Sequence, residues 1–265
     1  MAKVRAGALF PSTDVNEVRR RLGETSAARA MMVTRGAPSF SGVKDVRPSL
    51  QRADMGGVLN TRELMDIAGV LAAARACKAY AAGDGKGEKT SIDYLFQSLQ
   101  ANRFLEDKIT TSIAGEEEIA DAASTELANI RRLIRAASAR VREALQKIIS
   151  SPSYAKALQD PIITTRSERY VVPVKAEFKN AIPGLVHDVS SSGATLFIEP
   201  MAAVKANNEL RELRAREKAE IERILAELSA DCAEHADGIS LDFDLLVRLD
   251  LIFAKARLSY ALDAA

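Results

Sequence analysis

The chain has 265 residues, 47% of them hydrophobic and 28% charged, enough to bury a core and remain soluble. A formal net charge of +1 excludes a protein that holds polyanions by bulk charge, so any nucleic-acid surface has to be a local patch. Aromatic content of 5%, no Trp and abundant alanine weigh towards helices and against a β-sandwich.

Cys77 and Cys232 lack metal-ligand spacing, which points to a reduced, cytosolic protein. No run approaches the ~18 consecutive apolar residues of a membrane span. The start MAKVRAGALF has too short an apolar run for a signal peptide.

In chain order, residues 14–34 read as a helix. Asp14 can cap it, Glu17 can complete a capping box, Val15, Val18 and Leu22 share one face, and Gly36 stops it. GAPSFSGVKDVRPSL, with Pro38 and Pro48, reads as a loop. A second helix spans 61–82, capped by Asn60 with Glu63 three residues on, and its stripe is Leu64, Ile67, Leu71 and Ala74. A third runs from Ser91 to about Thr111 with Ile92, Leu95, Phe96 and Leu99 inward.

Between the second and third lies GDGKGEKT, residues 83–90, which resembles a phosphate-binding loop at all but one fixed position. Such a loop follows a buried strand and opens a helix. Here an alanine-rich helical pattern precedes it, and Glu88 replaces the last glycine and would face phosphate with like charge. The stretch reads as a helix–helix connection that does not bind nucleotide.

From Leu127 the apolar positions Ile130, Ile134, Ala137, Val141, Ala144 and Ile148 follow at alternating spacings of three and four, a heptad seam. The helix is expected from Glu116 to just before Pro152, ~50 Å if continuous, long for a compact core and therefore a projecting arm. After Pro200 a second arm carries Leu210, Leu213, Ile221, Ile224, Leu228 and Cys232, interrupted by RAREKAE, charged on all sides and so expected to stand in water. Residues 162–199 between the arms are rich in β-branched and aromatic residues, with turn chemistry at NAIPG and SSSG. They read as a small antiparallel sheet of three or four strands with Pro173 at an edge or bulge. SLDFDLLVRLDLIFAKARLSYAL is a final amphipathic helix with Leu245, Leu249, Ile252 and Ala256 on one side.

The expected fold class is therefore mainly α with a small β insertion. A discontinuous helical core (1–115 and 237–265) sends out two long antiparallel helices (116–158 and 201–236) that carry a β tip (159–200).

HDVSSSGATLFIEP brings His187, Asp188 and Glu199 close in sequence, yet neighbours on a strand point to opposite faces and no nucleophile elbow is present. Turn and strand-end roles fit better than catalysis, and neither His187 nor His235 has a partner at metal-ligand spacing. The basic residues are more informative. The first arm is acidic at its start and basic towards its end, an asymmetry that helix-dipole complementarity would also produce. The candidate nucleic-acid contacts are Arg135, Arg142 and Lys147 on that arm and Arg166, Arg169, Lys175 and Lys179 in the β region.

RYVVPVKAEFKNAIPGLVHDVSSSGATLFIEPMAAVKANNELREL, residues 169–213, resembles the second bacterial branch of the MutS family, MutS-II; PSTDVNEVRRRL and LDLIFAKARLSYA are similar to its core segments. The resemblance implies a core, lever and clamp with no catalytic residue, cofactor or metal of their own. Family chains continue into an ATPase domain that uses ATP and Mg, then a small nuclease-type domain. A fragment of such a parent is expected, and the parent as a cytoplasmic homodimer joined mainly through the ATPase domain. The implied ligand is nucleic acid, with two classes open: branched DNA in a protein that restrains recombination, or the ribosomal RNA of stalled ribosomes that the ATPase splits. No membrane is implied.

Overall fold

The computed structural model describes residues 2–83 and 89–264. The chain forms two compact units, Met1–Ala120 with Ile224–Ala265, and Asp121–Arg223. Mainly helical, with one small antiparallel sheet, it matches the fold class read from the sequence.

In the first unit α1 (Ala2–Gly7) and α2 (Val15–Arg35) precede α3 (Arg47–Asp54), α4 (Thr61–Ala82), α5 (Asp93–Gln97) and α6 (Arg103–Ser112). The long helix α8 (Met201–Glu234) contributes its last residues, and α9 (Ala236–Ala261) completes the unit. The best-specified helix is α4. Asn60 accepts from the Glu63 N–H at 2.9 Å while Glu63 accepts from the Asn60 N–H at 3.0 Å, a full capping box. Its stripe Leu64, Ile67, Leu71 and Ala74 is fully buried. Phe253 of α9 packs edge-on to Tyr80 and Phe96, with centroids 5.9 and 6.3 Å away.

Several expectations are corrected here. The face Val15, Val18 and Leu22 is exposed, at 56%, 37% and 57%, and α2 buries Glu24, Ala28 and Met31 instead. Asp14 does cap α2, accepting from the Asn16 N–H, but Glu17 turns to the Ser12 hydroxyl and Arg21 rather than closing a box. Pro48 opens α3 within the expected loop, because a proline in the first turn gives up only an N–H that would be unpaired there. The third helix is two: Asn102 caps α6 by accepting from the Leu105 N–H at 3.0 Å. The break before it frees the Gln100 N–H for the buried Asp242 carboxylate. The helix before Gly83 is as expected; Asp84–Glu88 of GDGKGEKT lie outside the described residues.

The second unit is built on α7 (Thr125–Ile149) and the Met201–Arg223 part of α8. The helix expected from Glu116 begins only at Thr125, capped by Ser124. Ile113 and Ile119, six apart, could not share a helix face, and an antiparallel bridge between them buries both.

The two helices run antiparallel. Going along α7, Ser124, Arg131 and Arg140 meet Glu220, Glu217 and Glu209 at 2.6–2.7 Å. The RAREKAE stretch is thus not wholly solvated, since Glu217 and Glu220 reach across to α7. Of the expected seam, Leu127, Ile130, Ala137 and Val141 are buried while Ile134 and Ile148 are only half-buried, and the next buried position after Val141 is Leu145, not Ala144. That step of four is the natural drift of a straight 3.6-residue helix away from a strict heptad.

The sheet has β1 (Thr164–Arg166), β2 (Arg169–Lys175), β3 (Gly184–Val189) and β4 (Thr195–Pro200) in the order β1-β2-β4-β3, all antiparallel. Pro173 sits on an inner strand, not an edge. Its carbonyl accepts from Gln159, so its missing N–H faces away from β4 and no bond to β4 is lost. Val172, Val174, Leu196 and Ile198 pack in one core with Val141, Leu145 and Ala203 of the two helices. Gly184 is obligatory, because a Cβ there would stand 2.3 Å from the Glu199 carbonyl oxygen. SSSG is the expected turn, closed by Gly193 at φ 73° and by the Ser190 hydroxyl accepting from the Thr195 N–H.

Candidate nucleic-acid interface

Strand register decides which side chains share a face. Arg166 pairs with Arg169, and Asp188 with Phe197, which places these four on the face opposite Val172 and Ile198. The Arg166 guanidinium lies 4.0 Å from the Phe197 ring centroid and 3.2 Å from Asp188, held at the surface by a ring below and a carboxylate beside it. Lys175 and Lys179 follow at the far end of β2 without a carboxylate partner among the described residues.

Arg169 behaves differently. Its Nη1 donates to both oxygens of Glu199 at 2.7 and 2.9 Å, and Nη2 to Asn208 at 2.7 Å. Glu199 is fully buried and also meets His187 Nε2 at 2.5 Å and Asn207 Nδ2 at 2.8 Å. Asn207 in turn accepts from the Tyr170 N–H and donates to its carbonyl. One carboxylate thus ties β2, β3, β4 and α8 together, and its burial is compensated by charged and neutral donors on all sides. Arg169, a candidate phosphate contact, is thus tied into the sheet by Glu199 and Asn208. Of His187, Asp188 and Glu199, the first and last meet each other while Asp188 turns to Arg166. Glu199 is spoken for by Arg169, and Asp188 holds Arg166. No cluster of His, Cys, Asp and Glu able to hold a metal occurs among the described residues.

On α7, Arg142 lies 5.6 Å from the centroid of Tyr170. Lys147 pairs with Glu143 at 2.9 Å and Arg135 with Asp121 at 3.7 Å, yet their side chains stay 74% and 66% exposed. These three side chains are therefore partnered but not buried. Such exposed pairs are weak, about 0–1 kcal/mol, and a phosphate can exchange for the carboxylate. Lys147 lowers the Glu143 pKa, and Arg131 with Arg135 lowers that of Asp121.

Sequence reasoning missed Asn207 and the Glu199 hub. The signal was present: Ala203, Asn207 and Leu210 share one helical stripe, and a polar residue in such a stripe needs a buried partner.

No protein-family profile matches the chain. Among curated proteins it is similar to the "Endonuclease MutS2" of Acetivibrio thermocellus, 48% identical over 98% of this chain and 33% of the relative. That of Ruminiclostridium cellulolyticum is 47% identical over 95% of the chain and 32% of the relative. That of Geobacillus thermodenitrificans is 46% identical over 98% and 34%. The chain spans about a third of the length of the curated relatives it matches. Identity of this level along nearly all of its residues, over a helical fold with one small antiparallel sheet, bears out the resemblance to the second bacterial branch of the MutS family, the chain being similar to about a third of the length of each of these MutS2 proteins.

Proposed function

We propose that this chain is the nucleic-acid-binding core, lever and clamp of a MutS2-type ATPase that acts on branched DNA and restrains recombination. The first unit serves as core, α7 and α8 as levers and the sheet as clamp. ATP and Mg, dimerisation and any nuclease step belong to regions beyond this stretch, and the protein works in the cytoplasm. The observation that carries the reading is Arg166, poised on Phe197 and Asp188 at the sheet surface. Lys175, Lys179, Arg142, Lys147 and Arg135 add exposed or half-exposed cations in the same unit, while Arg169 positions the strands. Cations that stay hydrated reach phosphates at low desolvation cost. The names of the relatives, endonucleases, support DNA as the ligand.

The test is a titration of the chain with a four-way DNA junction, a duplex of equal length and purified ribosomes. Preference for the junction supports the reading. Equal affinity for junction and duplex removes the branch specificity, and binding to ribosomes alone transfers the clamp to ribosome splitting.

A further inference from the structure

The first unit carries a groove of about 650 Å³ lined by Arg5, Arg20, Arg21, Arg248 and Lys255. One carboxylate, Glu24, stands among these residues, and it is nearly buried, at 6% exposure. Its Oε1 accepts from Arg20 and Arg248, each at 2.7 Å, and lies 3.4 Å from the Tyr94 hydroxyl. The Arg248 Nη2 also donates to that hydroxyl at 2.6 Å. Glu24 therefore anchors two guanidiniums side by side while neutralising the equivalent of one.

The other cations are not neutralised within the groove. Arg21 pairs with Glu17, which does not line it. Arg5 donates to a backbone carbonyl, that of Asp244, and Lys255 has no partner among the described residues. Five cations set against Glu24 and, for Arg21, Glu17 leave an excess of positive charge that like-charge repulsion opposes and an entering anion relieves. Paired guanidiniums match phosphoryl oxygens in bidentate geometry. The volume lies within the range of small-ligand sites, about 300–1,000 Å³.

We propose that this groove binds a run of phosphoryl groups, either as a free polyphosphate or as the backbone of a nucleic-acid strand. None of its lining residues belongs to GDGKGEKT or to the sheet. The probe is sodium tripolyphosphate, titrated calorimetrically into the 265-residue chain at low salt. One-site saturable binding is expected. Arg5→Gln with Lys255→Gln, neither of which touches Glu24, should weaken it about tenfold or more, the effect of losing charge-assisted hydrogen bonds. Lys175→Gln with Lys179→Gln should leave it unchanged.

On the wild-type chain, tripolyphosphate should also protect Arg20, Arg21 and Arg248 from phenylglyoxal, which keeps the test alive if the variant fails to fold. Displacement of the bound tripolyphosphate by a short abasic oligodeoxynucleotide assigns the site to a strand backbone; no displacement assigns it to free polyphosphate. Absence of saturable binding, undiminished affinity in the Arg5/Lys255 variant, or unprotected arginines overturns the proposal.

Discussion

Arg169 is only 14% exposed in its side chain and Glu199 not at all, so removing one partner strands a buried charge. Arg169→Ala should cost about 3–5 kcal/mol in urea unfolding of the second unit, the range for breaking a buried pair. A midpoint close to wild type would show that Glu199 finds other compensation. At the other end of that unit, Arg223 and then Ser124 hold the Glu220 carboxyl down at about 2, from an ordinary 4.5. A lowered folded pKa gives stability that is full above pH 4.5 and lost as pH falls through about 2. Glu220→Gln should therefore flatten the acid limb of the stability profile in that window, and an unaltered limb between the two variants would remove the linkage. Burial alone pushes the Cys77 thiol up to about 12, and burial with Asp231 nearby does the same for Cys232. Neither should react with iodoacetamide at neutral pH in the native state, and rapid labelling would show that those helices open locally.

At the level of single elements, α7 tests the pairing. Leu145 is fully buried between helix and sheet, and Leu145→Ala should cost about 2–5 kcal/mol. Ile134 is only half-buried beside Ala137 and Leu210, so Ile134→Ala should cost clearly less. The reverse order, measured by denaturant melts, would put the seam one position away.

This helix also shows what was legible. Its apolar spacing gave the antiparallel pairing and most of the buried face. It did not give the start at Thr125, because an acidic run after Gly115 is compatible with helix until the bridge between Ile113 and Ile119 is known. Strands and turns were readable from β-branched runs and SSSG. The inner place of Pro173 was not, since it depends on which side of β2 the backbone groups face. The candidate cations were found by composition, but not their partners: Asp188 reaches Arg166 only across the two strands between β1 and β3, and the Arg169 strut needs a residue 30 positions away.

For the whole molecule, a net charge of +1 means that polyanion binding has to come from local cations and not from a general field. The most direct test is the salt dependence of junction binding by the chain with Arg142, Lys147, Lys175 and Lys179 all changed to Glu, compared with wild type. These four lie outside the Glu199 hub, so the fold should survive, as circular dichroism can verify. The expected result is a large loss of affinity and a shallower slope of log affinity against log salt, by roughly 0.7–0.9 for each phosphate contact removed. An unchanged affinity with an unchanged slope would contradict the assignment of nucleic-acid binding to this surface.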